Sequence, residues 1–192
     1  MVKTYSQLYL DTRKTLMQAN TADEAGFIAR QLLCHLSEKS WEQIVTDGEK
    51  YAPEQVCDQL PFLAVRILKG EPLAYILGEW DFYGLKLFVD RNVLIPRDDT
   101  CAVTELAIQA AKEIQGKPRV LDLCTGSGCI GLAIAHRVKD AKVTLADISR
   151  EALAVAKKNI SRNQLGARVS CVPADAAHIP IRCGQALPFP EP

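Results

Sequence analysis

The sequence predicts an α/β protein in which a small helical bundle and a β-hairpin precede the first part of a Rossmann-like domain. Three observations lead to this fold class. Apolar residues recur at helical spacing through the first 70 residues, and the pattern between residues 71 and 97 is typical of a hairpin. From residue 119 onward, short apolar runs alternate with amphipathic segments, as in parallel sheets built from βαβ units.

The first 70 residues are expected to form a separate helical domain. The segment Thr21–Glu24 has the spacing of a capping box, and Ser40–Gln43 repeats it for a shorter helix. Pro53 suits a first helical turn, whereas Pro61 falls inside an apolar stripe and is expected to kink or divide that helix. The stripe behind Thr21 comprises Ala25, Ile28, Ala29, Leu32, Leu33 and Leu36.

Residues 71–97 are expected to form a hairpin linker around the turn at Tyr83-Gly84, followed by an extended connector that ends at Arg97. A further amphipathic helix then runs from Val103 to Ile114 and stops at Gly116. Residues 98–192 are assigned to a partial Rossmann-like domain. Its predicted strands are 119–124, 142–147 and 168–172, and its predicted helices are 129–137 and 149–165. From about residue 176 the sequence is rich in proline and has no periodicity, so an unstructured or aberrant tail is expected.

Composition narrows the possible functions. Lys and Arg total 23 and so do Asp and Glu, which argues against non-specific nucleic-acid binding. No apolar run approaches the roughly 18 residues that a membrane span requires. The seven cysteines include no C-x-x-C pair and no Cys/His metal spacing. We therefore expect reduced thiols, a cytoplasmic location and no metal site.

A glycine-rich loop carries the main chemical signal. The run Val120–Gly131 reads as a strand entering a G-x-G-x-x-G turn and then a helix. Asp147 ends the next predicted strand, at the position where a carboxylate can accept both hydroxyls of a ribose. The pattern predicts an adenosine-containing cofactor. A glycine turn that serves only helix–strand packing is the alternative.

Asp122 bears on which cofactor the loop binds. Its carboxylate would repel the pyrophosphate of a nicotinamide dinucleotide, whereas it could favour the sulfonium and ammonium of S-adenosylmethionine. The methyl donor is therefore preferred. Alternatively, Asp122 only caps neighbouring amides of the loop.

The sequence also resembles a known family, the class I methyltransferases that modify the glutamine N5 amide of the Gly-Gly-Gln motif in peptide chain release factors (the HemK/PrmC family). The resemblance rests on the segments Gly70–Gly84, Val93–Thr100 and Val120–Gly131, together with Leu145-Ala-Asp147. It extends from near the first residue to about Asp175. It implies an N-terminal bundle that docks the release factor, with neither a membrane nor a nucleic acid as partner.

The resemblance also implies which residues bind S-adenosylmethionine. The methionine and ribose part would be lined by Cys124, Thr125, Gly126, Ser127 and Gly128. Asp147 would hold the ribose, and Asp175 would lie beside the adenine unless it is only an acid in a turn after a strand. No catalytic residue is assigned.

Several positions depart from the family pattern. Asp98 and Cys101 replace a proline and an acid in the connector, and Ala176 replaces a bulky residue. The Asn-Pro-Pro-Tyr motif that holds the substrate amide in this family does not occur in the sequence. We therefore expect a truncated or frame-disrupted member that does not methylate glutamine by itself. The alternatives are an N6-adenine nucleic-acid methyltransferase, an NAD(P)-dependent oxidoreductase and a non-catalytic module that binds release factors.

Overall fold

The computed structural model describes residues 2–178, and its contacts divide the chain after Leu77 into two compact units. The described part of the first unit contains five helices. They are α1 (Tyr5–Leu16), α2 (Ala22–Ser37), α3 (Trp41–Thr46), α4 (Glu54–Leu68) and α5 (Leu73–Leu77).

Both predicted capping boxes are present. The hydroxyl of Thr21 accepts a hydrogen bond from the Glu24 amide at 3.3 Å, and the Glu24 carboxylate accepts one from the Thr21 amide at 2.9 Å. Ser40 and Gln43 exchange the same pair of bonds at the start of α3. The apolar faces of these helices meet in a buried core, so the predicted bundle is confirmed. The fully buried large side chains of this core are Leu16, Leu32, Leu33 and Leu60.

Of the two outcomes predicted for Pro61, division of the helix is wrong, because α4 runs through it from Glu54 to Leu68, and a kink stays a prediction. Pro61 lies on the exposed side of the helix, while Val56 and Leu60 before it and Leu63 after it are buried in the bundle. Burial of one continuous apolar face keeps the helix together despite the amide that proline lacks.

The second unit begins with a hairpin of β1 (Glu79–Phe82) and β2 (Leu85–Phe88), as predicted. Then follow α6 (Asp99–Glu113), β3 (Arg119–Leu123), α7 (Cys129–Arg137), β4 (Lys142–Asp147), α8 (Arg150–Arg162) and β5 (Val169–Pro173). The last three strands form a parallel sheet in the order β3-β4-β5, with Leu121 opposite Thr144 and Leu145 opposite Cys171. This strand–helix alternation is that of a Rossmann-like α/β domain, as predicted.

The hairpin shares a core with the sheet. Its inward-facing Phe82, Leu85 and Leu87 are buried together with Leu132 of α7 and Leu145 of β4. Residues Ala176–His178 form a single 3-10 turn, and the rest of the predicted tail lies outside the described residues. No helix within residues 2–178 is both long enough and apolar enough to cross a bilayer.

Candidate cofactor-binding site

The glycine-rich loop, residues 124–128, joins β3 to α7 at the carboxyl ends of the parallel strands. The amide of Thr125 donates to the carbonyl of Ala146 on β4 at 3.0 Å, and the Gly128 amide donates to the Thr125 carbonyl at 2.9 Å. Open α/β sheets bind their ligands at this edge. The sequence therefore placed the loop correctly with respect to the sheet.

Three loop residues have left-handed backbone conformations, with φ of +57° at Cys124, +56° at Gly126 and +84° at Gly128. Glycine adopts this conformation without the steric penalty that a Cβ incurs, whereas Cys124 incurs it. Gly128 is the N-cap of α7 and offers no side-chain hydrogen bond to the helix. The N-cap residue itself therefore supplies no capping side chain to the first turn of α7.

The third glycine of the motif is required by packing. A Cβ on Gly131 would overlap Cδ2 of Leu145 and lie 3.0 Å from Oδ2 of Asp122. Leu145 is fully buried on β4 and has little room to move. Gly131 therefore lets α7 lie directly against the sheet.

Asp122 of β3 caps groups of the loop and the helix. Its Oδ2 accepts from the Thr125 hydroxyl at 2.7 Å and from the Gly131 amide at 3.0 Å. Burial raises the pKa of Asp122, these two hydrogen bonds oppose the rise, and the nearby Asp147 adds to it. The capping interpretation holds for Oδ2, while the influence of Asp122 on cofactor choice stays a prediction.

Asp147 lies at the end of β4 and faces the loop. Its Oδ2 accepts from the Gly126 amide at 2.9 Å, and its Oδ1 accepts from the Ser149 amide at 2.9 Å. These bonds hold the half-buried carboxylate in one orientation. Each carboxylate oxygen has a further lone pair that can accept a hydroxyl. The structure thus brings Asp147 and the loop together, as the motif requires.

Asp175 follows β5 and makes its hydrogen bonds within its own turn. Oδ1 accepts from the Ala177 amide at 2.9 Å, and Oδ2 lies 2.7 Å from Nδ1 of His178. The Ala177 amide and then the His178 ring lower the pKa of Asp175. This arrangement is that of an acid in a turn after a strand, and a position beside an adenine ring stays a prediction.

Sequence reasoning missed Asn159, a fully buried residue of α8. Its Nδ2 donates to the carbonyl of loop residue Ser127 at 2.9 Å, and its side chain also bonds the backbone of Phe88 on the hairpin. One signal in the sequence could have identified it. Asn159 interrupts the apolar stripe of α8 that contains Ala152, Val155 and Ala156.

Comparison with known proteins finds a family match in each part of the chain. Residues 7–78 match the PrmC N-terminal domain, and residues 98–179 match the methyltransferase small domain. The chain is 43% identical over 141 residues to the release factor glutamine methyltransferase of Neisseria gonorrhoeae, covering 73% of this chain and 50% of that protein. It is 38% identical over 158 residues to that of Chlorobaculum tepidum, covering 80% of this chain and 54% of that protein.

The chain belongs to the release factor glutamine methyltransferase family. The resemblance seen in the sequence is thereby confirmed. The family match over residues 98–179 contains every predicted cofactor residue, but their individual roles stay predictions.

The chain spans about half the length of the family members it matches. Among solved structures, it resembles P. horikoshii TYW2 in complex with MeSAdo, with 22% identity and a TM-score of 0.44. That similarity covers 53% of this chain and 37% of that one.

Proposed function

We propose that this chain binds S-adenosylmethionine at the loop of residues 124–128, as the cofactor-binding portion of a methyltransferase. Its substrate is the glutamine of the Gly-Gly-Gln motif in a peptide chain release factor. The observation that carries the proposal is the hydrogen bond between the Gly126 amide and Asp147, which joins the glycine-rich loop to the ribose-type acid. Family membership supports the choice of the methyl donor and of the protein substrate.

The chemistry of the loop fits this cofactor better than a dinucleotide. Asp122 places a carboxylic group beneath the loop, an unfavourable setting for an anionic pyrophosphate, whereas Asp147 suits the ribose of either cofactor. S-adenosylmethionine carries no phosphate, and it supplies an electrophilic methyl group on its sulfonium. In the proposed mode, residues 124–128 line the methionine and ribose, Asp147 accepts the ribose hydroxyls, and Asp175 lies beside the adenine.

The chain spans about half the length of its relatives. We therefore distinguish the function proposed for this chain from the function proposed for a full-length member of the family. Cofactor binding is proposed for this chain itself. Methyl transfer, in which the site holds a glutamine amide close to the methyl group, is proposed for a full-length member of the family. A cytoplasmic location is also proposed, consistent with the free thiols of the described cysteines.

We further propose that the N-terminal unit docks the release factor. A groove on this unit is lined by aromatic and cationic side chains, among them Tyr9, Arg13, Phe27, Arg30 and Trp41. The Arg30 guanidinium lies 5.7 Å from the ring centroid of Phe27 and 6.0 Å from that of Trp41. Phe27 is 44% exposed, and such aromatic and arginine groups often provide the binding energy of protein interfaces.

Calorimetric titration with S-adenosylhomocysteine tests cofactor binding. We expect the wild-type chain to bind this product and not NAD⁺. Asp147→Ala should weaken binding roughly 10- to 100-fold, since it removes a charged hydrogen-bond acceptor. Asp140→Ala is the matched control, because Asp140 is exposed in the turn before β4 and should leave the affinity unchanged. Binding of NAD⁺ alone would support the oxidoreductase alternative.

Docking is tested by titrating a purified release factor into the chain. Phe27→Ala should weaken binding about tenfold. Phe62→Ala, which truncates another exposed aromatic side chain of the same unit, should not weaken it. Equal effects of the two substitutions would contradict the groove assignment. Release-factor binding without any affinity for S-adenosylhomocysteine would favour the non-catalytic module.

A further inference from the structure

Asn159 connects three separate parts of the second unit. Its Oδ1 accepts from the Phe88 amide at 2.6 Å, and its Nδ2 donates to the Phe88 carbonyl at 3.0 Å and to the Ser127 carbonyl at 2.9 Å. Both N–H groups of the carboxamide are thereby used. A side chain of α8 thus pairs with the backbone of β2 as a neighbouring strand would, and it also reaches the loop.

The Ser127 carbonyl is the loop group that Asn159 binds. Thr125 is held by Ala146 and Asp122, and the Gly126 amide is held by Asp147. Glycines 126 and 128 flank Ser127, and both have positive φ. The N–H of the peptide between Ser127 and Gly128 donates to the Thr125 carbonyl at 2.9 Å. Because glycine has access to several backbone conformations, a second bond at the carbonyl of this peptide restricts its rotation further.

We infer that Asn159 is a positioning residue for the cofactor loop, which it keeps in its binding conformation by holding the Ser127 carbonyl against the hairpin. The inference rests on the proposed function, in that the loop is taken to bind S-adenosylmethionine. By this inference the cofactor site depends on a residue outside the glycine motif, and the hairpin contributes to cofactor binding through Asn159.

Attachment of the hairpin alone does not account for Asn159. Arg162 already pairs with Glu79 at 2.6 Å and lies over the Phe88 ring at 4.4 Å. Asn163 donates to the Lys86 carbonyl at 3.2 Å. These contacts fasten the hairpin to α8 without including a loop residue, whereas Asn159 bonds the hairpin and the loop at once.

The Asn159 link couples the cofactor loop to the hairpin contact at Phe88, and the coupling acts in both directions. If the bound cofactor favours the observed loop conformation, it also favours the Asn159 contacts with Phe88. The Phe88 amide should then exchange more slowly with solvent deuterium when S-adenosylhomocysteine is bound. Its hydrogen bond to Asn159 makes this amide a direct reporter of the link.

The test compares Asn159→Asp with Asn163→Asp. Both replace an amide by an acid, Asn159 within α8 and Asn163 at its C-cap, and both remove a donor to the hairpin backbone. Asn159→Asp retains an acceptor for the Phe88 amide, but it places an oxygen against the carbonyls of Ser127 and Phe88. The readouts are deuterium exchange of the Gly128 amide without ligand and affinity for S-adenosylhomocysteine by calorimetry.

For Asn159→Asp we expect about tenfold faster Gly128 exchange and about tenfold weaker ligand affinity. Asn163→Asp should change both by less than about twofold, on the general expectation for partly exposed sites. Equal Gly128 exchange in the two variants would overturn the inference. If Asn159→Asp does not fold, Asn159→Ser and Asn163→Ser replace the pair, since serine is too short to reach Ser127. If the wild type binds no S-adenosylhomocysteine, the proposed function fails, and the exchange comparison alone decides the role of Asn159.

Discussion

The carboxylate of Asp122 accepts a hydrogen bond from the backbone amide of Gly131, 3.0 Å away, so that a side chain of β3 satisfies the first turn of α7. A charged acceptor at a helix N-terminus is favourable, because it satisfies an amide that has no partner within the helix. Its cost is that the carboxyl group is largely buried, and burial raises its pKa. This balance makes the start of α7 sensitive to pH and to substitution.

Stability should depend on pH through Asp122. Between its ordinary pKa of 3.8 and its raised pKa, the folded protein binds more protons than the unfolded chain. Asp122 therefore lowers the free energy of unfolding as pH rises through that window. Asp122→Asn removes this titration. The stability of the variant relative to wild type should increase with pH across the window and then level off, as measured by urea unfolding.

Asp47→Asn provides a control of opposite sign. Hydrogen bonds from Lys39 and then Lys50 lower the pKa of Asp47. Its stabilising effect is therefore lost as pH falls through the lowered pKa, and Asp47→Asn should become less stable relative to wild type as pH rises toward 3.8. A pH-independent difference for Asp122→Asn would contradict the expectation for Asp122.

Gly131→Ala should destabilise the second unit by roughly 1–3 kcal/mol, because the added methyl group has to displace a buried core side chain. Gly166→Ala is the matched control. The nearest atom beyond its chain neighbours, Cγ2 of Ile160, would lie 4.0 Å from the added Cβ, so stability should be unchanged or slightly higher. Thermal unfolding of both variants, followed by circular dichroism, measures the difference. Equal melting temperatures would show that α7 does not need this glycine.

Cys124→Gly should stabilise the chain. Cys124 holds φ at +57°, a conformation that costs a residue with a Cβ about 1–2 kcal/mol and costs glycine much less. The greater freedom of glycine in the unfolded state offsets part of this gain. The same substitution at Cys34, inside α2, should lower stability by roughly 0.5–1 kcal/mol, because glycine is a poorer helix former than cysteine and the partly buried thiol is lost. Denaturant unfolding at one pH compares the two, and a loss of stability at both positions would refute the assignment of strain to Cys124.

Pro61→Ala should raise the free energy of unfolding by roughly 1–3 kcal/mol. It restores an amide that can bond the Cys57 carbonyl in the middle of α4. Pro53→Ala, at the N-cap of the same helix, should change stability by less than about 0.5 kcal/mol. Chemical unfolding followed by far-ultraviolet circular dichroism measures both. No gain for Pro61→Ala would mean that α4 already accommodates the proline without loss.

The sequence by itself determined the elements whose signals are local. Thr21 and Glu24 are three residues apart, the distance at which a capping box closes, and the glycines at 126 and 128 lie between a strand and a helix. The alternation of strands and helices from residue 119 onward determined the parallel sheet. The sheet in turn places Gly126 next to Asp147. These features were predictable because each depends on residues of known spacing, at the start of one helix or within one βαβ unit.

Only the tertiary structure decided features that depend on long-range packing. Asn159 bonds residues 71 and 32 positions away in the chain, and no local pattern states which backbone groups it will meet. Pro61 remains inside one helix because the buried face of α4 outweighs a lost hydrogen bond. The raised pKa of Asp122 arises from its enclosure by the loop and α7. Spacing along the chain specifies hydrogen bonds between near neighbours, whereas burial and long-range partners exist only once the chain has folded.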